Sequence, residues 1–153
     1  MTTGNGANVN DWTPVVYRGD GAWIGVMSGG ELGVGVEAAG RATLEGSNYQ
    51  PMWPFMERGL SECLDTFSRA WPSLGGGKVA TPEELIELTV ETAWDSGREY
   101  WMQHSSAWVL QMAEMSAFDP ERIRGVVARM LVSDGLAADL RTSLQSIVAR
   151  SES

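Results

Sequence analysis

The sequence predicts an α+β fold that is mostly α-helical. Up to about residue 50 the chain consists of short apolar pieces separated by glycine, and from residue 51 onward apolar residues recur at helical steps of three and four. With 153 residues, of which 43% are hydrophobic and 20% charged, the chain has the size and composition of one globular domain. We therefore expect a single domain in which a short, glycine-rich antiparallel β segment precedes a four-helix bundle with one long helix.

The N-terminal third divides into a polar arm and a β-rich segment. Residues 1–11 are rich in glycine and asparagine and carry almost nothing to bury, so we expect a mobile N-terminal arm. Residues 12–50 form the glycine-rich β segment, with expected strands at 15–17, 22–27 and 32–36 separated by glycine-containing turns. These strands predict a three-stranded meander, and an irregular arm that wraps a neighbouring chain is the alternative.

Residues 51–153 carry the signals of four helices in a bundle. The first helix has Pro54 in its first turn, an apolar face from Phe55 to Trp71, and an end at Pro72 and the glycines that follow it. The third helix begins at Asp119-Pro120-Glu121, and the fourth follows a turn at Ser133-Asp134-Gly135. Each helix has one apolar face, which is typical of a bundle with its core between the helices.

The second helix is the longest that the sequence predicts. Thr81-Pro82-Glu83-Glu84 combines an N-cap hydroxyl, a proline at the first helical position and a glutamate at N3, which together form a capping box. The helical pattern continues to about Ala117, a length of roughly 55 Å. That length exceeds the width of a compact domain of this size. The helix is therefore either kinked near Ser96-Gly97 or Ser105-Ser106, or it projects and pairs with another chain.

A stripe of large apolar side chains marks the candidate functional surface on this long helix. Trp94, Trp101 and Trp108 are spaced seven residues apart and therefore share one helix face. The candidate interaction or ligand-binding residues are Trp94, Trp101, His104, Trp108, Met112 and Met115. Each indole buries on the order of 200 Å², so we interpret the stripe as bundle core or as an interface between subunits. The alternative is a cleft that holds a flat or apolar ligand.

The charge distribution excludes one class of partner and predicts a contact between helices. A net charge of −9 argues against nucleic-acid binding, which depends on clustered lysine and arginine. Five carboxylates lie on an arc of the long helix beside the tryptophans: Glu84, Glu87, Glu91, Asp95 and Glu99. We interpret this arc as a solvated face, or equally as the surface that meets Arg122, Arg124 and Arg129 near the C-terminus.

The sequence contains no recognisable catalytic or metal-binding motif. His104 is the only histidine, so a His-pair metal site and an HExxH element are excluded, although a lone histidine can act as an axial haem ligand or a proton carrier. Cys63 is the only cysteine, which excludes an internal disulfide and predicts a buried thiol. No Gly-x-Ser-x-Gly element and no phosphate-binding glycine pattern is present. We therefore expect a protein that is not an enzyme and carries neither metal nor cofactor.

The hydrophobicity pattern and the arginine content predict the cellular location and the source of the protein. The chain has no run of about twenty apolar residues and no signal-peptide pattern, so we expect no membrane span and a cytoplasmic location. Ten of the 11 basic residues are arginine, which favours a bacterial or phage source.

The predicted function is that of a non-catalytic, acidic helical assembly protein, a subunit or accessory component of a larger complex. It would bind a protein partner or itself, as a homo-oligomer, through the aromatic helix face. The alternatives are a binding protein for an apolar or planar small molecule, with a Trp- and Met-lined pocket, and a coat protein for a hydrophobic surface.

Overall fold

The structure, a computed structural model, describes residues 12–45, 48–75, 79–134 and 136–152. The predicted mobile arm at residues 1–11 lies outside these residues. The fold is α+β, as predicted from the sequence, and the described residues contain one four-stranded antiparallel sheet and six helices. A count of four helices was therefore wrong, because both of the longer predicted helices are divided.

The sheet is a meander in which every strand pairs with its neighbour in sequence. Its strands are β1 Thr13–Tyr17, β2 Trp23–Val26, β3 Leu32–Val36 and β4 Ala39–Thr43. The sequence predicted the first three and missed β4. This strand reads Ala-Gly-Arg-Ala-Thr, with no alternation of large apolar and polar residues. Its place in the sheet comes from pairing with β3.

The two faces of the sheet pack differently. One face contributes Val16, Ile24 and Leu32 to the core, and glycines occupy much of the other face. Trp12 lies against this second face and its Nε1 donates a hydrogen bond to the carbonyl oxygen of Val36, at 2.8 Å. A Cβ atom at Gly40 would lie 2.9 Å from a ring carbon of Trp12, so the glycine lets the indole approach the backbone.

The helices follow the sheet in one continuous part of the chain. They are a 3-10 helix at Gln50–Glu57, then α1 Leu60–Leu74, α2 Pro82–Asp95, α3 Glu99–Ala113, α4 Pro120–Leu131 and α5 Ala138–Glu152. The first helix was predicted to end at Pro72 and the glycines that follow it; the end at the first of these glycines is confirmed, and the end at Pro72 was wrong. Helix α1 includes Pro72 and ends before Gly75, which has a φ of 71° and donates its N–H to the carbonyl of Trp71, at 2.9 Å.

The single long helix predicted over residues 82–117 is two helices. Gly97 has a φ of 73°, in the left-handed region that glycine adopts without strain, and it separates α2 from α3. The hydroxyl of Ser96 donates to the carbonyl of Ala93, at 2.6 Å, and accepts the N–H of Arg98, at 3.1 Å. These bonds satisfy backbone groups that the interruption exposes, and α3 packs directly against α2. Of the alternatives that the length of this helix left open, the kink near Ser96-Gly97 is confirmed.

The first predicted helix is divided in the same way, between the 3-10 helix and α1. The break falls at Arg58 and Gly59, and no side chain of either residue caps α1. Two side chains of α3 form hydrogen bonds with the backbone at this break. Nε1 of Trp108 donates to the carbonyl of Arg58, at 2.8 Å, and Oε1 of Gln111 accepts the N–H of Leu60, also at 2.8 Å. Helix α3 thus fixes the point where the chain enters α1.

One hydrophobic core joins the sheet to the helices. Helix α3 lies at its centre, because it packs against the 3-10 helix and against each of the other four α-helices. The core draws side chains from both parts of the fold, among them Ile24, Leu32, Phe55, Phe67, Ile86, Trp108, Val127 and Leu144.

The predicted start of α2 is confirmed in atomic detail. The hydroxyl of Thr81 accepts the N–H of Glu84, at 3.1 Å, and Asp119 caps α4 by accepting the N–H of Glu121, at 3.0 Å. The carboxylate of Glu84 accepts the N–H of Ala80, at 2.7 Å, rather than that of Thr81. The capping box therefore reaches one residue further back than its usual form.

We expect Thr81→Ala to lower the free energy of unfolding by about 1 kcal/mol, because the N–H of Glu84 loses its acceptor. Thr81→Ser retains the hydroxyl and should stay close to the wild type. Urea unfolding of the three proteins measures the difference. Equal stabilities of the alanine and serine variants would show that the hydroxyl does not stabilise α2.

Candidate functional site

The structure separates the six predicted site residues into three environments. Trp94 in α2 is 8% exposed, and Trp108 and Met112 in α3 are 0% and 3% exposed, so all three lie in the core of this chain. Trp101 and His104 are half-buried on α3, and Met115 is half-buried just after it. The surface that faces Trp94 and Trp108 therefore belongs to the chain itself.

Trp101 and His104 belong to an aromatic cluster at the start of α3. The ring of Tyr100 lies 4.8 Å from that of Trp101 and 4.6 Å from that of His104, centre to centre, and both pairs meet edge to face. Trp53 of the 3-10 helix completes the cluster, with its ring 5.9 Å from that of Trp101. We call the four residues Trp53, Tyr100, Trp101 and His104 the aromatic surface, of which Trp53, at 5% exposed, is the buried member.

Tyr100 is the most exposed member of the aromatic surface, at 54% of its area. Its hydroxyl donates a hydrogen bond to the carboxylate of Glu57, and this bond raises the pKa of Tyr100. A hydrogen bond to α2 fixes the orientation of Trp53, because its Nε1 donates to the hydroxyl of Thr92, at 3.1 Å. Tyr100 and Trp53 were not among the predicted site residues. For Tyr100 a signal was present, since it precedes His104 by four residues and so shares its helix face.

A hollow of about 410 Å³ adjoins the aromatic surface, between the sheet and the 3-10 helix. Its walls combine aromatic, proline and polar side chains from four segments: Arg18, Val34, Asn48, Gln50, Pro51, Trp53, Pro54 and Trp101. Arg18 is fixed in place, because one guanidinium nitrogen donates to the carbonyl of Pro51, at 2.6 Å, and another donates to the carboxylate of Asp20, at 2.9 Å. The bond from Arg18 lowers the pKa of Asp20.

The border of the aromatic surface is electrically neutral. A second hollow, of about 230 Å³, shares Arg18 and Pro54 with the first and adds Asp20, Glu57 and Arg58 to its lining. Arg18 and Arg58 balance Asp20 and Glu57, and Arg58 donates to the carbonyl of Arg18. We call these four residues the charged border. Its neutrality contrasts with the net charge of −9 of the whole chain.

The acidic arc of the predicted long helix meets arginines of α4. A guanidinium nitrogen of Arg122 lies 2.7 Å from a carboxylate oxygen of Glu87, and one of Arg129 lies 3.6 Å from Glu91, while another contacts Asp95. The interpretation of the arc as a partner for basic residues is thus confirmed for Arg122 and Arg129. Arg124 is exposed. The ion pairs join α2 to α4 along one edge.

Beneath these ion pairs lies a groove of about 380 Å³ between α2, α3 and α4. Its floor is apolar and its upper edges carry the paired charges. The lining residues are Glu87, Val90, Glu91, Val109, Met112, Arg122, Ile123, Gly125, Val126 and Arg129. We call this feature the α2–α4 groove. Met112 is the one predicted site residue that lines it.

The thiol of Cys63 lies in the core. Cys63 is buried with its thiol 3.6 Å from the carbonyl of Phe55, and burial raises its pKa to about 11, so it is a protonated thiol and a weak nucleophile at neutral pH. Within the described part of the chain no group of three or more His, Cys, Asp or Glu side chains is placed to hold a metal ion. Among the same residues no helix is long and apolar enough to cross a membrane.

No protein-family model matches this chain, and neither a curated protein nor a solved structure matches it significantly.

Proposed function

We propose that the protein is a non-catalytic assembly protein that associates with a second copy of itself through the aromatic surface. The observation that carries this proposal is the exposure of Tyr100 beside Trp101 and His104, at the edge of a hollow walled by a second tryptophan. Tyrosine, tryptophan and arginine are the residues that most often dominate the energy of protein interfaces. An exposed tyrosine beside two half-buried aromatic rings can insert into a partner, and the adjoining hollow can accept a side chain of that partner.

The charge distribution supports a second copy as the partner. Two molecules that each carry −9 repel one another over most of their surfaces. The charged border sums to zero, so these four residues add no net repulsion to a contact between two copies. In a twofold-symmetric dimer the arginines of one copy are able to face the carboxylates of the other, because the same patch contributes both signs. Arg18 and Arg58 supply the cations and Asp20 and Glu57 the anions.

Sedimentation velocity over about 1 to 100 µM tests this proposal. We expect the wild type to associate reversibly, and Tyr100→Ser to weaken the dimer at least about tenfold through the loss of an aromatic contact. Val132→Ser is the matched control, because Val132 is 85% exposed and lies at the C-terminal end of α4, apart from the aromatic surface. Both positions are exposed, so both variants should fold normally.

Two outcomes would contradict self-association through this surface. One is a wild type that remains monomeric over the whole concentration range. The other is a dimer that Val132→Ser weakens as strongly as Tyr100→Ser, since the contact would then not be specific to the aromatic surface.

A further inference from the structure

We propose that the α2–α4 groove is a binding site for a small organic cation with an apolar body, such as an aromatic or alkyl amine. This site is separate from the aromatic surface, and neither proposal depends on the other. The groove has the dimensions of a small-molecule site, about 380 Å³, and an apolar floor formed by Val90, Val109, Met112, Ile123 and Val126. Such a floor binds the apolar body of a ligand, and the charges along the upper edges determine which charge of head group is preferred.

Gly125 leaves open space in the wall of the groove. It lies inside α4 and lines the groove, yet a Cβ atom built there meets nothing within 4 Å. Its backbone is helical without a positive φ, so an ordinary side chain is compatible with the conformation. Glycine is among the least favourable residues inside a helix, and packing does not require it here. A helix that carries glycine at such a position keeps the wall of the groove open.

The arrangement of the charges along the edges favours a cation over an anion. Two carboxylates, Glu87 and Glu91, and two guanidinium groups, Arg122 and Arg129, line the edges, so the edges themselves are neutral within a chain of net −9. The side chain of Glu87 is 12% exposed, whereas that of its partner Arg122 is 64% exposed. The carboxylate is therefore a fixed part of the wall, and the arginine is the member that can swing into solvent. An ammonium group is able to replace Arg122 on Glu87 while its apolar body lies on the floor.

Isothermal titration calorimetry with three naphthalene probes of similar size tests the proposal. The probes are 1-naphthylmethylamine, 1-naphthalenemethanol and 1-naphthoate, which share the ring system and differ in the charge of the head group. We expect one saturable site for the amine, with an affinity at least about tenfold higher than for the carboxylate and an intermediate affinity for the alcohol. The Glu87→Gln variant should lose most of the preference for the amine and retain binding of the alcohol.

Gly125 supplies the variants that locate the site. Gly125→Leu projects a side chain into the groove and should weaken amine binding at least about tenfold, whereas Gly125→Ala should change it less than about threefold. Circular dichroism of each variant confirms that the helices are intact. A carboxylate that binds as tightly as the amine, or amine affinity that Glu87→Gln and Gly125→Leu both leave unchanged, would overturn the proposal. The absence of saturable amine binding up to about 1 mM would overturn it as well.

Discussion

Replacing Trp108 by alanine should lower the free energy of unfolding by about 3–5 kcal/mol. The indole is 0% exposed, and it lies on α3, the helix that packs against all the other helices of the fold. Its removal leaves a cavity, because the helices packed around Trp108 cannot all move inward to close it. It also removes the donor for the carbonyl of Arg58, at the break between the 3-10 helix and α1. Urea unfolding, followed by circular dichroism, measures the loss.

Two further substitutions separate the contributions of Trp108. Trp108→Phe keeps most of the apolar volume but leaves the carbonyl of Arg58 without its donor, so it should cost about 1–3 kcal/mol. Trp101→Ala removes an indole of the same stripe that is only half-buried, and it should cost less than Trp108→Ala. A loss for Trp101→Ala as large as that for Trp108→Ala would contradict the central position of Trp108.

The seven-residue spacing of the tryptophans predicted a shared environment, and the structure shows why the spacing alone was insufficient. The sequence placed Trp94 and Trp108 on one continuous helix, but Gly97 ends the first helix between them. Both indoles nevertheless reach the core, because α3 packs back against α2. Local signals such as the capping box at Thr81 depend on neighbouring residues and were therefore predictable. The direction in which the chain continues after Gly97 depends on tertiary packing and was not.

The same distinction applies to the candidate sites. Trp101 and His104 could be proposed from the sequence, because they lie on the same helix three residues apart. Arg18 and Trp53 could not, since the sheet and the 3-10 helix bring them to α3 only in the folded chain. The α2–α4 groove could not be predicted either, because it results from the packing of three helices, and the glycine in its lining belongs to no local motif. The acidic arc was visible in the sequence, and its meeting with Arg122 and Arg129 was one of two interpretations that the pattern left open.

Replacing Gly25 by alanine should lower the free energy of unfolding by about 3 kcal/mol, a large effect for the addition of one methyl group. Gly25 lies in β2 opposite Pro14 of β1. A Cβ atom at this position would overlap the carbonyl oxygen of Thr13 and lie 2.9 Å from the Cα atom of Pro14. These are backbone atoms, so β1 has to move away from β2 to make room. Val16 of β1 is a core residue, and the movement would disturb its packing as well.

Gly125→Ala is the matched control for Gly25→Ala, because it adds the same methyl group where nothing lies within 4 Å. It should raise the free energy of unfolding by about 0.5–1 kcal/mol, since alanine is the better helix former. Thermal and urea unfolding of the two variants should therefore shift in opposite directions from the wild type. If Gly25→Ala unfolds at the wild-type midpoint, β1 does not approach β2 as closely as this structure shows. Opposite shifts would instead show that the two glycines differ in environment. At Gly25 a neighbouring strand approaches too closely for a side chain, and at Gly125 there is open space beside the helix.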